Sequence, residues 1–240
     1  MNDRRKKILN ELGLTPRWKI RADSTLETSV LNDNATGLNE LTGDSVDATS
    51  ENPVYQMSWK QLKLAVSQCT ACSLHETRKN TVFGVGDEQA DWLFVGEGPG
   101  AREDEMGEPF VGQAGKLLDQ MLAAIHLKRG DRVYIANIVK CRPPNNRNPA
   151  ITEISACRPY LSRQIELISP KLIIALGKVA AENLLGRSDS LGSLRGKIHD
   201  LSGTPLIVTY HPAYLLRALP EKAKAWKDLC FAKATMQSLK

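Results

Sequence analysis

The sequence predicts an α/β fold: a four-stranded, mainly parallel sheet flanked by helices on both faces. Two observations predict it. Four short apolar runs have the length and composition of buried strands, and stretches with helical periodicity separate them. Such alternation is typical of parallel sheets, because the crossover between two parallel strands usually contains a helix.

The individual elements follow from these patterns in chain order. Trp59, Leu62 and Val66 recur at three- and four-residue spacing, so they share one face of a first helix. The apolar runs predict strands over 92–95, 133–138, 172–176 and 206–208. Helical periodicity predicts further helices over 113–125, 152–168, 178–185 and 221–239.

Composition divides the chain of 240 residues into two parts. Residues 1–23 carry seven Lys or Arg and three acids, whereas residues 24–53 carry six acids and no base. The second stretch is rich in Ser, Thr, Asn, Asp and Gly, which favours a disordered linker. We therefore expect a basic segment and an acidic linker over 1–53, and a folded catalytic domain over 54–240.

No apolar run is long enough for a secretory signal or a membrane span, so we expect a cytoplasmic protein without membrane contact. The whole chain has a formal charge of +5, and the part after residue 53 is more basic than that. This balance suits a polyanionic partner, although many soluble enzymes share it.

Three segments of unusual composition follow predicted strands. They are GEGPG after the first strand, NIVKCRPPNNRNP across the end of the second, and YHPAYLLR after the fourth. Ligands of open α/β sheets bind beyond the carboxyl ends of the strands. The three segments are therefore expected to meet at one edge of the sheet and to form a binding site.

Four of the five cysteines have a spacing that predicts a metal site, because cytosolic thiols stay reduced and seldom form disulfides. Zinc and a [4Fe–4S] cluster are both open as occupants, and His75 is an alternative zinc ligand. The fifth cysteine, Cys230, is expected in the core of the last helix. The four predicted ligands are Cys69, Cys72, Cys141 and Cys157, of which Cys157 also fits a buried apolar thiol.

The glycine-rich segment matches G-x-G-x-x-A through Gly96, Gly98 and Ala101, a pattern typical of dinucleotide-binding oxidoreductases. A phosphate loop runs straight into a helix, but here acidic residues 103–105 and a Gly-Glu-Pro turn intervene, and acids repel a pyrophosphate. The glycines more readily serve close approach of the backbone to a flat ligand. Phe110 follows the turn, where stacking on a ligand and ordinary core packing are both open.

Two polar residues lie at or after the ends of predicted strands: Asn137 at the end of the second, and His211 after the fourth. The amide of Asn137 can donate to one atom and accept from the next along the edge of a pyrimidine such as uracil, although a turn role is also open. His211 is well placed to stabilise charge on a departing base. Leu215 and Leu216 follow it, and as exposed leucines they could wedge into a base stack.

Taken together, CTACSLHETR, GEGPGAREDEMGEPFVGQAG, NIVKCRPPNNRNP and HPAYLLR resemble the family 4 uracil-DNA glycosylases, over about residues 57–235. The resemblance implies a four-stranded parallel sheet with a [4Fe–4S] cluster, rather than zinc, at one side. It also implies a DNA glycosylase of base excision repair that releases uracil from single- or double-stranded DNA and acts as a monomer. A superfamily member that binds DNA without turnover remains an alternative.

The resemblance also implies roles for individual residues. Phe110 stacks on the flipped uracil, Asn137 reads its polar edge, and Glu103 occupies the place of a thymine methyl group. His211 faces uracil O2. Glu97 and Gly98 line the sugar side, where Glu97 activates water.

Overall fold

The computed structural model describes residues 53–239, so the basic segment and acidic linker predicted over 1–53 lie outside the described residues, apart from Pro53. These residues form a six-stranded mixed sheet in the order β1-β3-β2-β4-β6-β5. The strands are β1 Val85–Gly86, β2 Trp92–Gly96, β3 Val133–Asn137, β4 Leu172–Leu176, β5 Ile198–Leu201 and β6 Thr204–Thr209.

The four predicted strands are confirmed as the parallel centre of this sheet, but the predicted strand number is wrong. β3, β2, β4 and β6 are parallel neighbours, with Gly96 beside Asn137 in register. Two antiparallel edge strands complete the sheet. β1 has only two residues, and β5 alternates exposed with half-buried positions, so neither forms the apolar run that revealed the others.

The predicted helices are found within one or two residues of their expected bounds, and four short helices were not expected. The predicted helices are α1 Trp59–Ser67, α4 Gln113–Ala124, α5 Ile151–Ile168, α6 Lys178–Leu185 and α9 Lys222–Ser238. The additional helices are α2 Leu74–Thr77, α3 Ala101–Met106, α7 Leu191–Leu194 and α8 Pro212–Leu215.

The expectation that the glycine-rich segment does not lead directly into a helix is wrong. The glycine segment does run straight into a helix, because α3 begins directly after Gly100. Its first turn contains Glu103 and Asp104, so the objection that remains to a phosphate ligand is charge.

The core has two layers, one on each face of the sheet. Leu93 and Val95 pack toward α5 and α6, whereas Trp92 and Phe94 pack toward α4 and α9. Alternate side chains of a strand point to opposite faces, so a run of buried residues fills both layers. Helices therefore cover both faces, as predicted.

Cys230 lies on the exposed side of α9, so its predicted core position is wrong. The buried face of α9 is formed by Ala225, Leu229, Ala232 and Met236. Within residues 53–239, no helix combines the length and apolar composition that crossing a membrane requires.

Candidate active site

A cavity of about 470 Å³ opens beyond the carboxyl ends of β2, β3 and β6, where all three unusual segments meet. We call it the base cavity. It brings together the six predicted catalytic and substrate-binding residues, although their chemical roles remain predictions. These are Glu97, Gly98, Glu103, Phe110, Asn137 and His211, and the rim adds Asn146, Arg147, Tyr214 and Arg217.

Asn137 ends β3 and is 1% exposed, and its Oδ1 is buried without a hydrogen-bond partner. A buried polar atom with no partner is costly, and a ligand that donates to it removes the cost. The close approach requires Gly96, because a Cβ there would lie 2.5 Å from Oδ1 and 2.5 Å from the Phe110 ring. The site therefore presents an unused acceptor beside an aromatic ring.

The backbone around Phe110 is held from both sides. Phe110 has a φ of 55°, in the left-handed region that a bulky residue rarely adopts. Arg129 donates to its carbonyl (2.9 Å) and to the preceding carbonyl (2.8 Å). Glu103 Oε1 accepts from the two following amides, both at 2.9 Å. A Cβ on Gly115 would lie 1.7 Å from the Phe110 carbonyl oxygen, so this turn needs glycine there.

His211 presents a neutral imidazole to the cavity. Its Nδ1 accepts a hydrogen bond from the amide of Ala213 at 3.1 Å, so the neutral ring carries its proton on Nε2. Burial, with a smaller contribution from Arg217, lowers the pKa of His211 to about 4, against a weak opposing effect of Glu103. Near pH 7, Nε2–H is therefore a donor on an uncharged ring. The ring centroid lies 5.5 Å from that of Phe110.

Gly177 packs closely against the Cβ of His211, and it was not singled out from the sequence. It has a φ of 89°, and a Cβ there would lie 2.8 Å from the Cβ of His211. Only the position after β4, next to β6, could have indicated it.

Glu97 follows β2 and is half-buried on the cavity wall. Burial raises its pKa, because a carboxylate loses hydration there. Beside it, Gly98 lies close to Val139, and a Cβ would come within 2.8 Å of that side chain. The close packing of this backbone against Val139 therefore requires glycine.

The predicted wedge needs one correction. Leu215 is 1% exposed and packs in the core on the α4 and α9 side of the sheet, so the prediction that it is exposed is wrong. Leu216 is 42% exposed, as expected, and its role as a wedge stays a prediction. Tyr214, equally exposed, lines the cavity and stacks on Tyr210 with 5.4 Å between ring centroids. Leu215 at the end of the short helix α8 and Leu216 directly after it therefore differ in burial, which the sequence alone did not reveal.

A second, smaller cavity, which we call the cysteine cavity, lies between α1, α5 and the loop after β3. All five cysteines are free thiols in this structure. His75 does not line this cavity, and its Nδ1 lies 2.8 Å from the carbonyl oxygen of Cys72. The four cysteines that line it are the predicted ligands Cys69, Cys72, Cys141 and Cys157.

Hydrogen-bond donors point at two of these sulfur atoms, as expected around thiolate ligands. Arg78 Nη1 lies 3.0 Å from Cys141 Sγ, and the amide of Lys140 lies 3.3 Å from Cys157 Sγ.

The donor set suits a polynuclear cluster. Within residues 53–239, no three His, Cys, Asp or Glu side chains lie close enough together to hold one metal ion. Four sulfur atoms that bind one zinc ion would lie about 4 Å apart, given Zn–S bonds of about 2.3 Å. The four thiols line one cavity, and four thiolates are a ligand set that a [4Fe–4S] cluster uses.

Comparison with known proteins identifies the class of this α/β protein as DNA glycosylase. The chain belongs to the Uracil DNA glycosylase superfamily, whose family model matches residues 83–233. The chain is 44% identical over 181 residues to the Type-4 uracil-DNA glycosylase of Pyrobaculum aerophilum, covering 72% of this chain and 92% of the relative. The Type-4 uracil-DNA glycosylase of Thermotoga maritima is 49% identical over 154 residues, 63% of this chain and 80% of its own. That of Archaeoglobus fulgidus is 46% identical over 159 residues, 63% of this chain and 79% of its own.

Proposed function

We propose that this uracil-DNA glycosylase hydrolyses the N-glycosidic bond of deoxyuridine in the base cavity, releasing uracil and leaving an abasic site in DNA. The observation that carries the proposal is that one cavity is lined by Phe110, Asn137 and His211. These residues supply a flat apolar wall, an amide that matches a pyrimidine edge, and a neutral donor. The relatives named above are uracil-DNA glycosylases, which favours the same substrate over a dinucleotide.

His211 stabilises the leaving group. When the glycosidic bond breaks, its electron pair goes to N1 of the base, and the resulting anion shares its charge with O2. The neutral Nε2–H donates to that oxygen, and this hydrogen bond strengthens as negative charge develops. The amide of Ala213 keeps the ring in the required tautomer.

Glu97 acts on the sugar. Its carboxylate stabilises the cation-like deoxyribose and accepts a proton from the attacking water. Hydrolysis then balances: hydroxide is added at C1′, and the proton from water reaches the uracil anion.

Recognition of uracil rests on the amide of Asn137, whose free Oδ1 accepts from N3–H while its NH₂ group donates to O4. Cytosine presents the reverse pattern. Phe110 stacks on the ring, and the carboxylate of Glu103 fills the space that a 5-methyl group would need. The hydrogen bonds from Glu103 to the loop after Phe110 support both roles.

The nucleotide must leave the base stack to reach the cavity, at a cost of about a few kcal/mol. Leu216 fills the gap in a duplex, and Arg147 and Arg217 at the rim face the phosphates. We propose that the protein acts as a monomer on single- and double-stranded DNA, with residues 54–240 as its catalytic domain. The free thiols suit a cytoplasmic location.

The pH dependence tests the assigned protonation states. We expect kcat/KM to fall on acidification through the raised pKa of Glu97, because protonation removes its negative charge. Above that pKa the rate should stay level to pH 8, because His211, with a pKa of about 4, is already neutral. The rate of single-turnover uracil release, measured between pH 4.5 and 9, follows both the acidic fall and the plateau.

Glu97→Gln serves as the control for this profile, and it should lower the plateau and abolish the acidic limb. A wild-type rate that falls between pH 6 and 8, with the fall absent in a His211 variant, would show instead that a charged imidazole is the active form.

We propose that Cys69, Cys72, Cys141 and Cys157 hold a [4Fe–4S] cluster. When bound it supplies no step of the hydrolysis; the cysteines tie α1 and α5 to the loop after Asn137. Cys141→Ala should lose most of the iron and the visible absorbance, and its melting temperature should fall by about 10 °C. Iron analysis and thermal unfolding measure the two effects.

Cys230→Ala is the matched control, because this cysteine is exposed on α9 and lies outside the cysteine cavity. It should keep the iron, the absorbance and the melting temperature. Full iron content in Cys141→Ala, or an equal loss in Cys230→Ala, would disprove the ligand assignment.

A further inference from the structure

Lys140 is a completely buried lysine between the base cavity and the cysteine cavity, and the mechanism above does not use it. Its side chain is 1% exposed. Its ammonium donates to the main-chain carbonyl oxygen of Asn137 at 2.9 Å. Its amide donates to Cys157 Sγ, and its carbonyl accepts from the amide of Val82 at 2.7 Å. One residue thus joins the end of β3, a predicted cluster ligand and the loop before β1.

Burial makes this ammonium expensive, because a charge inside a protein loses its hydration. Methionine has a similar length and would pack in the same apolar surroundings without that cost. The cost is offset only if the ammonium makes an interaction that an apolar side chain cannot make. The hydrogen bond to the carbonyl of Asn137 is one such interaction, and attraction to the nearby thiols of Cys157 and Cys141 is another.

That hydrogen bond acts on the residue whose position matters most for base selection. The Asn137 side chain lies against Gly96 and near the Phe110 ring. A small rotation of the Asn137 backbone would therefore move its amide along the cavity wall. A misplacement of about 1 Å in a catalytic site can cost about 10²-fold in rate. A hydrogen bond to the carbonyl of Asn137 restrains that rotation directly.

We propose that Lys140 is a positioning residue for base recognition: its ammonium fixes the backbone of Asn137 so that the amide meets the uracil edge. The inference rests on the proposed role of Asn137 in reading the base. The ammonium acts on base recognition through Asn137, so its contribution to that recognition should vanish when the Asn137 amide is absent.

A double-mutant cycle tests this dependence. Lys140→Met should lower kcat/KM on a uracil-containing oligonucleotide by about 10- to 10²-fold and weaken the binding of free uracil by a similar factor. In an Asn137→Ala background, the same substitution should change either quantity by no more than about 2-fold. Uracil titration followed by NMR gives the binding constant independently of turnover, and iron analysis checks each variant.

Arg78→Gln is the matched control, because Arg78 also contacts a cysteine sulfur but not Asn137. Its effect, whatever its size, should be equal in the two backgrounds. Lys140→Gln, whose amide is one atom shorter than the ammonium, replaces Lys140→Met if the latter does not fold with full iron content.

Three results would overturn the inference. Equal losses from Lys140→Met in both backgrounds would show a general structural role, and the same background dependence in Arg78→Gln would place the coupling in the cysteine cavity. If Asn137→Ala alone binds and cleaves normally, the base-reading role itself fails. Only this last result also removes the proposed function of the cavity.

Discussion

His211→Ala is expected to lower the single-turnover rate of uracil release by about 10²- to 10³-fold, the usual cost of one donor aimed at a developing anion. The loss should fall on kcat rather than on KM, because the hydrogen bond strengthens only as the base acquires charge. Rapid-quench measurement with a labelled uracil-containing oligonucleotide separates the two parameters.

His126→Asn is the control for this prediction. His126 is exposed, and asparagine tolerates its left-handed backbone, with a φ of 65°. The control should react at the wild-type rate. A near-wild-type rate in His211→Ala with unchanged iron content would remove His211 from the mechanism.

Asn137→Ala is expected to lower kcat/KM for a uracil-containing oligonucleotide by about 10³-fold. It removes two hydrogen bonds to the base, of which the one to O4 faces an atom that also gains negative charge in the transition state. Both kcat and the affinity for free uracil should fall, unlike in His211→Ala. Kinetics and uracil titration on the same samples measure the difference.

Asn183→Ala provides the comparison, because the Asn183 amide bonds to a carbonyl within α6, away from the base cavity. It should retain wild-type kinetics. A loss below about 5-fold in Asn137→Ala would show that another group reads the base.

The central sheet was predictable because its strands are buried on both faces and form continuous apolar runs. The same reason explains the two missed strands: β1 is too short for a pattern, and β5 is partly exposed at an edge. The position of the cavity followed from the topology alone, because the carboxyl ends of parallel strands meet at one edge. Asn137, which ends β3, and His211, which follows β6, could therefore be singled out.

The parts of the site that were missed act across long sequence separations. Arg129 fixes the Phe110 turn from the loop after α4, and Gly177 supports His211 from the end of β4. Neither residue carries a local pattern, since a clamp or a close approach exists only in the folded chain. The burial of Leu215 was not predicted for the same reason. Only the folded chain shows that Leu215, rather than Leu216, faces the core.

The most direct test of the base cavity is a crystal structure of the protein with free uracil bound. We expect a uracil ring stacked on Phe110, with its N3–O4 edge on the amide of Asn137 and its O2 within hydrogen-bond distance of His211 Nε2. Uracil bound outside this cavity, or inside it with Asn137 turned away from the base, would contradict the proposed recognition of the base.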